Sequence, residues 1–269
     1  MTRKKSILIT GGSSGIGLAL ASLYANRGND LVLVARDQGK LDTAVRRCSD
    51  MAVNPSQVIA AVSLDITAYD RLPAEMDKLI AEYGLPDLVI LCAGTAGNKT
   101  FLDTAAAEFD RMVDINLGGS REVSRALLPA MLQRGRGQIA FVSSIAGLIG
   151  IYGYSAYSAS KFAVTGLTQA LQQELAHTGV SVHLVCPPEV NTPMIQAESL
   201  AALPQTRFLK DLVGTLQPDV VAKKIASGID KRKAVIVPGA RARLMVWIDR
   251  HFPRFFAWSS RRLLRWKFR

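Results

Sequence analysis

A chain of 269 residues, 49% of them apolar, is long enough to form one α/β domain with a sizeable hydrophobic core. Its formal net charge of +11 is uneven: residues 240–269 hold nine lysines and arginines and one acid, which gives +8 and leaves +3 for residues 1–239. Three cysteines, Cys48, Cys92 and Cys186, lack metal or redox spacing, so we predict no metal site and expect a reduced, cytoplasmic compartment.

Two stretches bear on targeting. Residues 1–5 lead straight into a predicted strand and lack the apolar core and cleavage site of a signal peptide, so none is expected. Residues 137–160 carry no charge, but their five serines and four glycines make a poor membrane span. A buried strand followed by a site loop explains this stretch better, and we predict no transmembrane helix.

Short apolar runs alternate with helical patterns along the chain. This order predicts an α/β fold in which a doubly wound, seven-stranded parallel sheet of Rossmann type is covered by helices on both faces. One helix is expected from about Gly15 to Asn26. Another, which contains Tyr157, is expected to run to about His177 and to end at Gly179, a typical C-cap residue. The predicted strands are Ser6–Thr10, Asp30–Ala35, Gln57–Leu64, Asp87–Cys92, Gln138–Ser143, Ser181–Cys186 and Ala234–Val237.

The first predicted turn, residues 10–17, reads TGGSSGIG between a strand and a helix. Gly11 allows a tight turn, while Gly15 and Gly17 let the backbone approach a pyrophosphate and let the helix lie close to the strand. Glycine-rich turns can also serve only to bend a chain, but the strand-turn-helix context favours dinucleotide binding. The predicted contacts are Gly11, Ser13, Ser14, Gly15, Ile16 and Gly17.

The end of the second strand is expected to face the adenosine ribose of that dinucleotide. Arg36 stands there and Lys40 follows one helical turn later, and an arginine at this place pairs with a 2′-phosphate. An acid would bind a 2′-hydroxyl instead, but Asp37 comes one position late. We therefore predict NADPH as the cofactor, with a solvated strand-end charge as the alternative role of Arg36. Asp65 is expected to accept a hydrogen bond from the adenine amino group or to cap a loop.

Tyr157 and Lys161 stand four residues apart, a spacing that places both on one helix face about one turn apart. A phenol with a pKa near 10 is a poor acid–base catalyst at neutral pH. We expect the Lys161 ammonium and a cationic nicotinamide ring to lower the pKa of Tyr157 by about three units, which corresponds to about 4 kcal/mol. The phenol would then titrate near the working pH.

Two further polar residues complete the predicted catalytic group. Ser144 follows an apolar strand thirteen residues before Tyr157, and its hydroxyl is expected to hold a substrate oxygen. Asn116 interrupts a helical pattern where another residue type would be preferred, and it is expected to anchor a water beneath Lys161.

Together these motifs resemble the short-chain dehydrogenase/reductase family over about residues 5–238. The resemblance implies a tetrad of Asn116, Ser144, Tyr157 and Lys161, of which the last two also contact the cofactor. In the family the fourth strand usually ends Asn-Asn-Ala-Gly, whereas here it ends Leu-Cys-Ala-Gly, so a hydrogen bond that stabilises the sheet is not expected. The further cofactor contacts that the resemblance implies are Ile66, Ala93, Gly94, Pro187 and Thr192.

Within that family the chain is similar to the 3-ketodihydrosphingosine (3-ketosphinganine) reductases. The more discriminating element is Pro-Pro-x-x-x-Thr-Pro at residues 187–193, where the family usually has Pro-Gly. The similar motifs at residues 10–17, 34–36, 141–144 and 156–163 recur across the larger family. Eukaryotic members of this branch carry hydrophobic membrane segments at the C-terminus, and this chain differs from them there.

The segment from Met194 to Gln217 lies where the family closes over its substrate. Its apolar residues are expected to line an apolar substrate pocket or, alternatively, to form the buried face of two ordinary helices. These residues are Leu200, Leu203, Phe208, Leu209, Leu212, Val213 and Leu216.

Residues 239–269, which we call the tail, are predicted to form a basic amphipathic appendage to a cofactor-binding catalytic domain of residues 1–238. Aromatic residues and leucines alternate with arginines there at roughly helical spacing, and Pro253 divides the pattern in two. This composition is typical of a helix in a membrane interface. The alternative is a helix packed on a partner subunit or on the substrate loop; nucleic-acid binding is not expected because so many residues are bulky and apolar.

The predicted function is NADPH-dependent reduction of a ketone, with a long-chain 3-keto sphingoid base as the favoured substrate. Tyr157 would protonate the oxygen that Ser144 holds, Lys161 would lower the phenol pKa and bind ribose, and Asn116 would organise a proton relay. The alternatives are a related reductase of 3-oxoacyl thioesters or hydroxysteroids, or a non-catalytic NADPH-sensing membrane scaffold. A homo-oligomer, cytoplasmic or peripheral at a membrane surface, is also expected.

Overall fold

The seven predicted strands all form in the computed structural model, which describes residues 4–199 and 202–268. They make one parallel sheet in the order β3-β2-β1-β4-β5-β6-β7. The predicted fold class is therefore confirmed. The strands are β1 Ser6–Thr10, β2 Asp30–Ala35, β3 Ile59–Ser63, β4 Leu88–Leu91, β5 Gly137–Val142, β6 Val180–Val185 and β7 Val235–Ile236.

The third strand begins two residues later than predicted, because Gln57 belongs to the preceding loop. Its side-chain oxygen accepts hydrogen bonds from the backbone N–H groups of Val53 and Asn54, both at 2.9 Å. Its side-chain nitrogen donates to the carbonyl oxygens of Ala25 and Asn29 at 2.9 and 3.0 Å. The loop thus satisfies its own hydrogen-bonding groups, and the pairing of β3 with β2 begins at Ile59.

Helices cover both faces of the sheet and continue beyond the last strand. They are α1 Gly15–Ala25, α2 Gln38–Asp50, α3 Leu72–Tyr83, α4 Ala106–Val113, α5 Ser120–Arg134, α6 Ser155–Glu174, α7 Pro193–Ser199, α8 Pro204–Val213, α9 Pro218–Asp230, α10 Ala240–His251 and α11 Pro253–Lys267. A π-helical turn, Asp114–Gly119, joins α4 to α5, and a 3₁₀ turn, Ile145–Gly147, follows β5. No helix within the described ranges is long and apolar enough to cross a membrane.

The predicted end of α6 at Gly179 is wrong. The helix ends at Glu174 with Leu175 as its C-cap, and a turn follows in which the Thr178 hydroxyl donates to the Leu175 carbonyl at 2.8 Å. Gly179 has a different role, because a Cβ there would lie 1.8 Å from the Gly135 carbonyl oxygen. The glycine thus permits close backbone contact between two loops rather than ending a helix.

The core lies on both faces of the sheet, which explains why the strands are continuously apolar. In β1, Ile7 and Ile9 pack into one cluster with α1 and α9, whereas Leu8 packs into a second cluster with α3 and α5. The strand order reverses its direction of growth between β1 and β4. In open parallel sheets, ligands bind at this reversal, beyond the carboxyl ends of the strands.

Candidate active site

A cavity of about 770 Å³ lies at the carboxyl ends of β1, β4, β5 and β6. Ser144, Tyr157 and Lys161 line it beside the glycine loop. The predicted cofactor residues that also line it are Gly11, Ser14, Gly15, Ile16, Gly17, Ala93, Gly94, Pro187 and Thr192. The fold therefore gathers most of the predicted site around one cavity; Ser13, Arg36, Lys40, Asp65, Ile66 and Asn116 are not among its lining residues.

The glycine loop is shaped by positions that a side chain would obstruct. A Cβ on Gly17 would lie 2.2 Å from the Gly11 carbonyl oxygen, so only glycine lets α1 start this close to the turn. Gly11 has φ +68°, and a Cβ there would lie 2.8 Å from the Ala93 backbone. Such a turn at a helix N-terminus presents backbone N–H groups to a phosphate.

β4 ends at Leu91 and is followed by Cys92, and Thr10 of β1 contacts the backbone there. The backbone N–H groups of Cys92 and Ala93 point to the Thr10 hydroxyl oxygen at 3.2 and 3.3 Å. The Cys92 N–H also donates to the Thr10 carbonyl at 3.2 Å. The side-chain oxygen of Thr10 therefore ties β1 to β4 at the mouth of the site.

Lys161 lies inside the protein, one helical turn beyond Tyr157 on α6. The residue is 5% exposed, and its ammonium donates to the Val142 carbonyl at 3.0 Å. Burial lowers the pKa of Lys161 to about 8, although the Cys92 and Cys186 thiols act in the opposite direction. The ammonium is 5.8 Å from the centre of the Tyr157 ring, so the two side chains share one site.

The lowered pKa that the sequence predicted for Tyr157 is not what this structure shows. Burial raises the pKa of the phenol to about 12, and the Ser144 hydroxyl offsets only part of that effect. The physical reason is that burial disfavours the phenolate, while Lys161 directs its ammonium to the Val142 carbonyl. The protein alone thus holds Tyr157 as a protonated phenol, which is the form that a general acid requires.

Asn116 lies in the π-helical turn, which explains why it interrupts a helical pattern in the sequence. Its side-chain oxygen accepts from the Thr95 N–H at 2.8 Å, and its nitrogen donates to the Thr95 carbonyl at 3.0 Å and to the Ser160 hydroxyl at 2.9 Å. A Cβ on Gly94 would meet both the Asn116 oxygen, at 2.9 Å, and the Lys161 ammonium, at 3.4 Å. Such π-turns are frequent at functional sites, and this one brings Asn116 beside Lys161.

The residues predicted to hold the adenosine end lie in a separate depression. Arg36 and Asp65 line a second cavity of about 550 Å³, and the Arg36 guanidinium is 3.9 Å from the Asp65 carboxylate. Asp65 accepts from the Thr67 N–H at 2.9 Å and so caps the loop after β3. Its pKa is lowered: partial burial acts upward, but the hydrogen bonds from Thr67 and the charge of Arg36 outweigh it.

Three neighbouring residues have structural roles at this end. Asp37 is the N-cap of α2, where it accepts from the Lys40 N–H at 3.0 Å, and the Lys40 ammonium is 3.4 Å from the same carboxylate. The place of Asp37, one residue beyond Arg36, is thus explained by capping. Ile66 is buried, and a Cβ on Gly119 would lie 2.4 Å from its side chain, so Ile66 packs beneath the π-helical turn.

The far wall of the large cavity comes from α8 and from the tail. Leu209, Leu212 and Val213 line it as predicted, whereas Phe208 packs on Phe268 with ring centres 5.9 Å apart. Leu216 packs on the core and Leu203 lies against Gly153, so these two fit the alternative of ordinary buried residues. Leu200 lies outside the described residues. The tail residues that line the cavity are Arg241, Leu244, Met245, Ile248, Phe256, Ser259, Ser260 and Leu263.

The position of the tail agrees with the alternative that it packs on the substrate loop of its own chain. One side of α10 and α11 faces the cavity, while five aromatic residues of the tail remain between 51% and 75% exposed. These residues, which we call the outer aromatic face, are Trp247, Phe252, Phe255, Trp258 and Trp266.

Sequence reasoning missed a polar cluster in the wall of the cavity. Tyr154, Glu189 and Lys210 line the cavity, and Glu198 contacts two of them from α7. The four residues come from four separate segments, and the only one inside a quoted motif, Glu189, stands at an unspecified position of Pro-Pro-x-x-x-Thr-Pro. The one available signal was the position of Tyr154, almost one helical turn before Tyr157.

The chain belongs to the short chain dehydrogenase family, whose model matches residues 5–202. It is 36% identical over 218 residues to a 3-dehydrosphinganine reductase of Danio rerio, covering 81% of this chain and 66% of the relative. It is 40% identical over 235 residues to a 3-dehydrosphinganine reductase of Arabidopsis thaliana, covering 86% and 69%. The chain thus spans about two thirds of the length of these curated relatives.

Solved structures share the fold and differ in their cofactor. A short-chain dehydrogenase from Sphingobium yanoikuyae in complex with NADPH has a TM-score of 0.78 at 29% identity, over 95% of each chain. A short-chain dehydrogenase from Mycobacterium paratuberculosis bound to NAD has a TM-score of 0.78 at 26% identity, over 89% of this chain and 98% of that one. The fold therefore accommodates a nicotinamide dinucleotide. Whether this chain prefers NADPH or NADH depends on its own residues at the adenosine end.

Proposed function

We propose that this chain is an NADPH-dependent reductase of a long-chain 3-keto sphingoid base, which it converts to the 3-hydroxy product. The observation that carries the proposal is the continuity of the large cavity. It runs from the glycine loop, past Ser144 and Tyr157, to an apolar wall made by α8 and the tail. Relatives that are named 3-dehydrosphinganine reductases support the substrate class.

The crowded glycine positions support dinucleotide binding, because the backbone there leaves no room for a Cβ. Gly11, Gly15 and Gly17 would hold the pyrophosphate, and Lys161 would bind the ribose. Arg36 would pair with a 2′-phosphate, since its side chain is 59% exposed and the residue directly follows β2. When bound, the reduced nicotinamide supplies the hydride for the carbonyl carbon.

The chain's own residues would handle the proton and the oxygen. Ser144 is nine-tenths buried at the start of the 3₁₀ turn, and its hydroxyl would hold the substrate oxygen beside Tyr157. Tyr157, held as a phenol by burial, would donate its proton to that oxygen as charge develops there. Lys161 would stabilise the resulting phenolate. Asn116 would organise the relay that returns a proton to Tyr157.

The decisive experiment compares NADPH consumption with three ketones: 3-ketosphinganine, a 3-oxoacyl thioester and a ketosteroid. The proposal expects the highest kcat/KM with 3-ketosphinganine. A higher value for the thioester or the steroid would favour the alternative reductases. If the protein binds NADPH but consumes none with any of the three ketones, the non-catalytic sensor would be favoured.

The outer aromatic face supports a second proposal, that the protein docks on an anionic membrane. The tail holds nine cations beside five exposed aromatic residues, and a cation near an anionic bilayer contributes about 1 kcal/mol. Because other residues of the same helices line the cavity, docking would bring the cavity wall to a substrate that resides in the bilayer. The domain boundary near residue 238 and a homo-oligomer stay predictions.

A further inference from the structure

Tyr154, Glu189 and Lys210 line the cavity, and Glu198 contacts Tyr154 and Lys210 from α7; we call these four residues the carboxylate cluster. The Lys210 ammonium is 2.6 Å from a Glu189 oxygen and 2.9 Å from Glu198 Oε1. Tyr154 donates its hydroxyl to the same Glu198 oxygen. The second oxygen of Glu189 accepts from the Thr215 hydroxyl at 2.7 Å.

The carboxylate cluster holds one more negative charge than it neutralises. Two carboxylates share one ammonium, and the side chains of Glu189, Glu198 and Lys210 are only 17%, 6% and 12% exposed. Glu198 Oε2 is buried and has no hydrogen-bond donor among the residues that the structure describes. Buried polar atoms normally have partners, so an unpartnered carboxylate oxygen needs an explanation such as a ligand that brings a donor.

This excess charge lies next to the reacting centre. The ring centres of Tyr154 and Tyr157 are 5.2 Å apart, and the Lys210 ammonium lies 5.2 Å from the centre of the Tyr154 ring. After burial, the charge of Glu198 is among the influences that raise the pKa of Tyr157. Tyr154 therefore joins the two: its hydroxyl contacts Glu198, and its ring lies beside the ring of Tyr157.

Two other cations line the same cavity, and neither neutralises the carboxylate cluster. Lys161 directs its ammonium to the Val142 carbonyl at the end of β5. Arg241 is exposed on α10, where its guanidinium lies near Gly214. Within the described part of the chain, no ion pair joins either of them to Glu189 or Glu198.

We propose that the carboxylate cluster recognises an ammonium group on the carbon next to the substrate's carbonyl, with Glu198 Oε2 as an acceptor. This inference rests on the proposed function, since a 3-keto sphingoid base carries its amine on that carbon. The amine would supply the donor that Glu198 lacks and the positive charge that the cluster lacks. A ketone without the amine would leave the Glu198 oxygen without a donor and the excess negative charge without a cation. Such a ketone would therefore bind more weakly than it would to an apolar wall.

The test measures kcat/KM for two ketones, 3-ketosphinganine and the same ketone with hydrogen in place of the amine. Wild-type protein should prefer the amino ketone by about tenfold or more, as expected for hydrogen bonds to a charged group. Glu198→Gln should lower that preference by about tenfold. Glu189→Gln serves as the second variant if Glu198→Gln does not fold, which thermal melting would reveal.

Two control variants separate charge recognition from a general disturbance. Lys210→Gln should raise the preference, because it removes the cation that competes for the carboxylates. Asp211→Asn removes an exposed acid from the same helix, α8, and should leave the preference within about twofold.

The outcomes distinguish this inference from the function on which it rests. If wild-type protein reduces both ketones equally well, or if Glu198→Gln slows both equally, the cluster is structural and the inference fails while the function stands. If wild-type protein reduces neither ketone, the proposed function fails and takes the inference with it.

Discussion

The two halves of the cavity are built on different principles. On the cofactor side, hydrogen bonds and close backbone contacts hold residues in place: the Asn116 side chain, behind the lining, makes three hydrogen bonds, the Lys161 ammonium makes one, and Gly17 has no room for a Cβ. On the opposite side, the wall is made by apolar side chains of helices near the surface. α10 buries only Ala242, and α11 buries no residue in its described span.

The difference indicates how the two halves divide the work. Reaction chemistry requires fixed atoms, and buried hydrogen-bond networks supply them. An apolar wall imposes few directional contacts and can accept chains of different length. We therefore expect substitutions on the cofactor side to change the rate of chemistry, and substitutions on the tail to change which ketone binds and where the protein resides.

The largest expected effect tests the cofactor side. Tyr157→Phe keeps the ring and removes the proton, so kcat for ketone reduction should fall by at least about a hundredfold, while NADPH affinity changes little. Steady-state kinetics and cofactor fluorescence measure the two quantities. Tyr152→Phe, an identical change at an exposed tyrosine, is the matched control. Turnover like that of the wild type in Tyr157→Phe would rule out this proton donor.

The next prediction concerns the pH at which the Tyr157 hydroxyl ionises in the wild-type protein. Because burial raises its pKa from 10 to about 12, a change of about a hundredfold in the ionisation constant, Tyr157 should stay protonated up to pH 10 in the cofactor-free protein. Tyrosinate absorbance of the wild type minus that of Tyr157→Phe isolates this group. Oxidised cofactor, which brings a positive ring, should move the titration to lower pH. A midpoint near pH 8 without cofactor would mean that Lys161 alone outweighs burial.

A smaller effect is expected at the adenosine end. Arg36→Ala should weaken NADPH relative to NADH by about 2 kcal/mol, or about thirtyfold, because a charged contact to phosphate is lost. Steady-state kcat/KM for both cofactors measures the ratio. Arg46→Ala, on α2 and also exposed, should leave it unchanged. An unaltered ratio in Arg36→Ala would make Arg36 a solvated surface charge.

The smallest expected effect separates the two sides of the tail. Replacing Trp247, Phe255 and Trp258 together by serine should weaken co-sedimentation with anionic vesicles by about tenfold, because the aromatic rings are exposed and supply apolar burial. Leu263→Ala, on the cavity side, should instead raise KM for long-chain ketones and leave vesicle binding intact.

Phe101→Ser is the control for the vesicle measurement, since Phe101 is 67% exposed but lies outside the tail. Wild-type protein that stays in the supernatant at low salt would contradict membrane docking. In that case the outer aromatic face would need another partner, while the cavity wall would be unaffected.

Local patterns predicted the fold and most of the candidate site residues that line the large cavity. The TGGSSGIG turn and the Tyr157–Lys161 spacing depend on neighbours within a few residues, and the structure keeps both. The predicted end of α6 failed because Gly179 serves a contact with Gly135, more than forty residues away. The protein alone does not lower the pKa of Tyr157 for a related reason, since burial depends on everything that surrounds the ring.

The sequence by itself determined the succession of strands and helices, the glycine-rich turn and the spacing of Tyr157 and Lys161, because each of these depends on residues close together in the chain. Only the tertiary structure decided that the tail folds back onto α8 and lines the cavity, because apolar residues occur around both sides of its helices. It also decided that Glu189, Glu198 and Lys210 meet beside Tyr154. Charges from separate segments become a cluster only when folding removes them from water and brings them within hydrogen-bond distance.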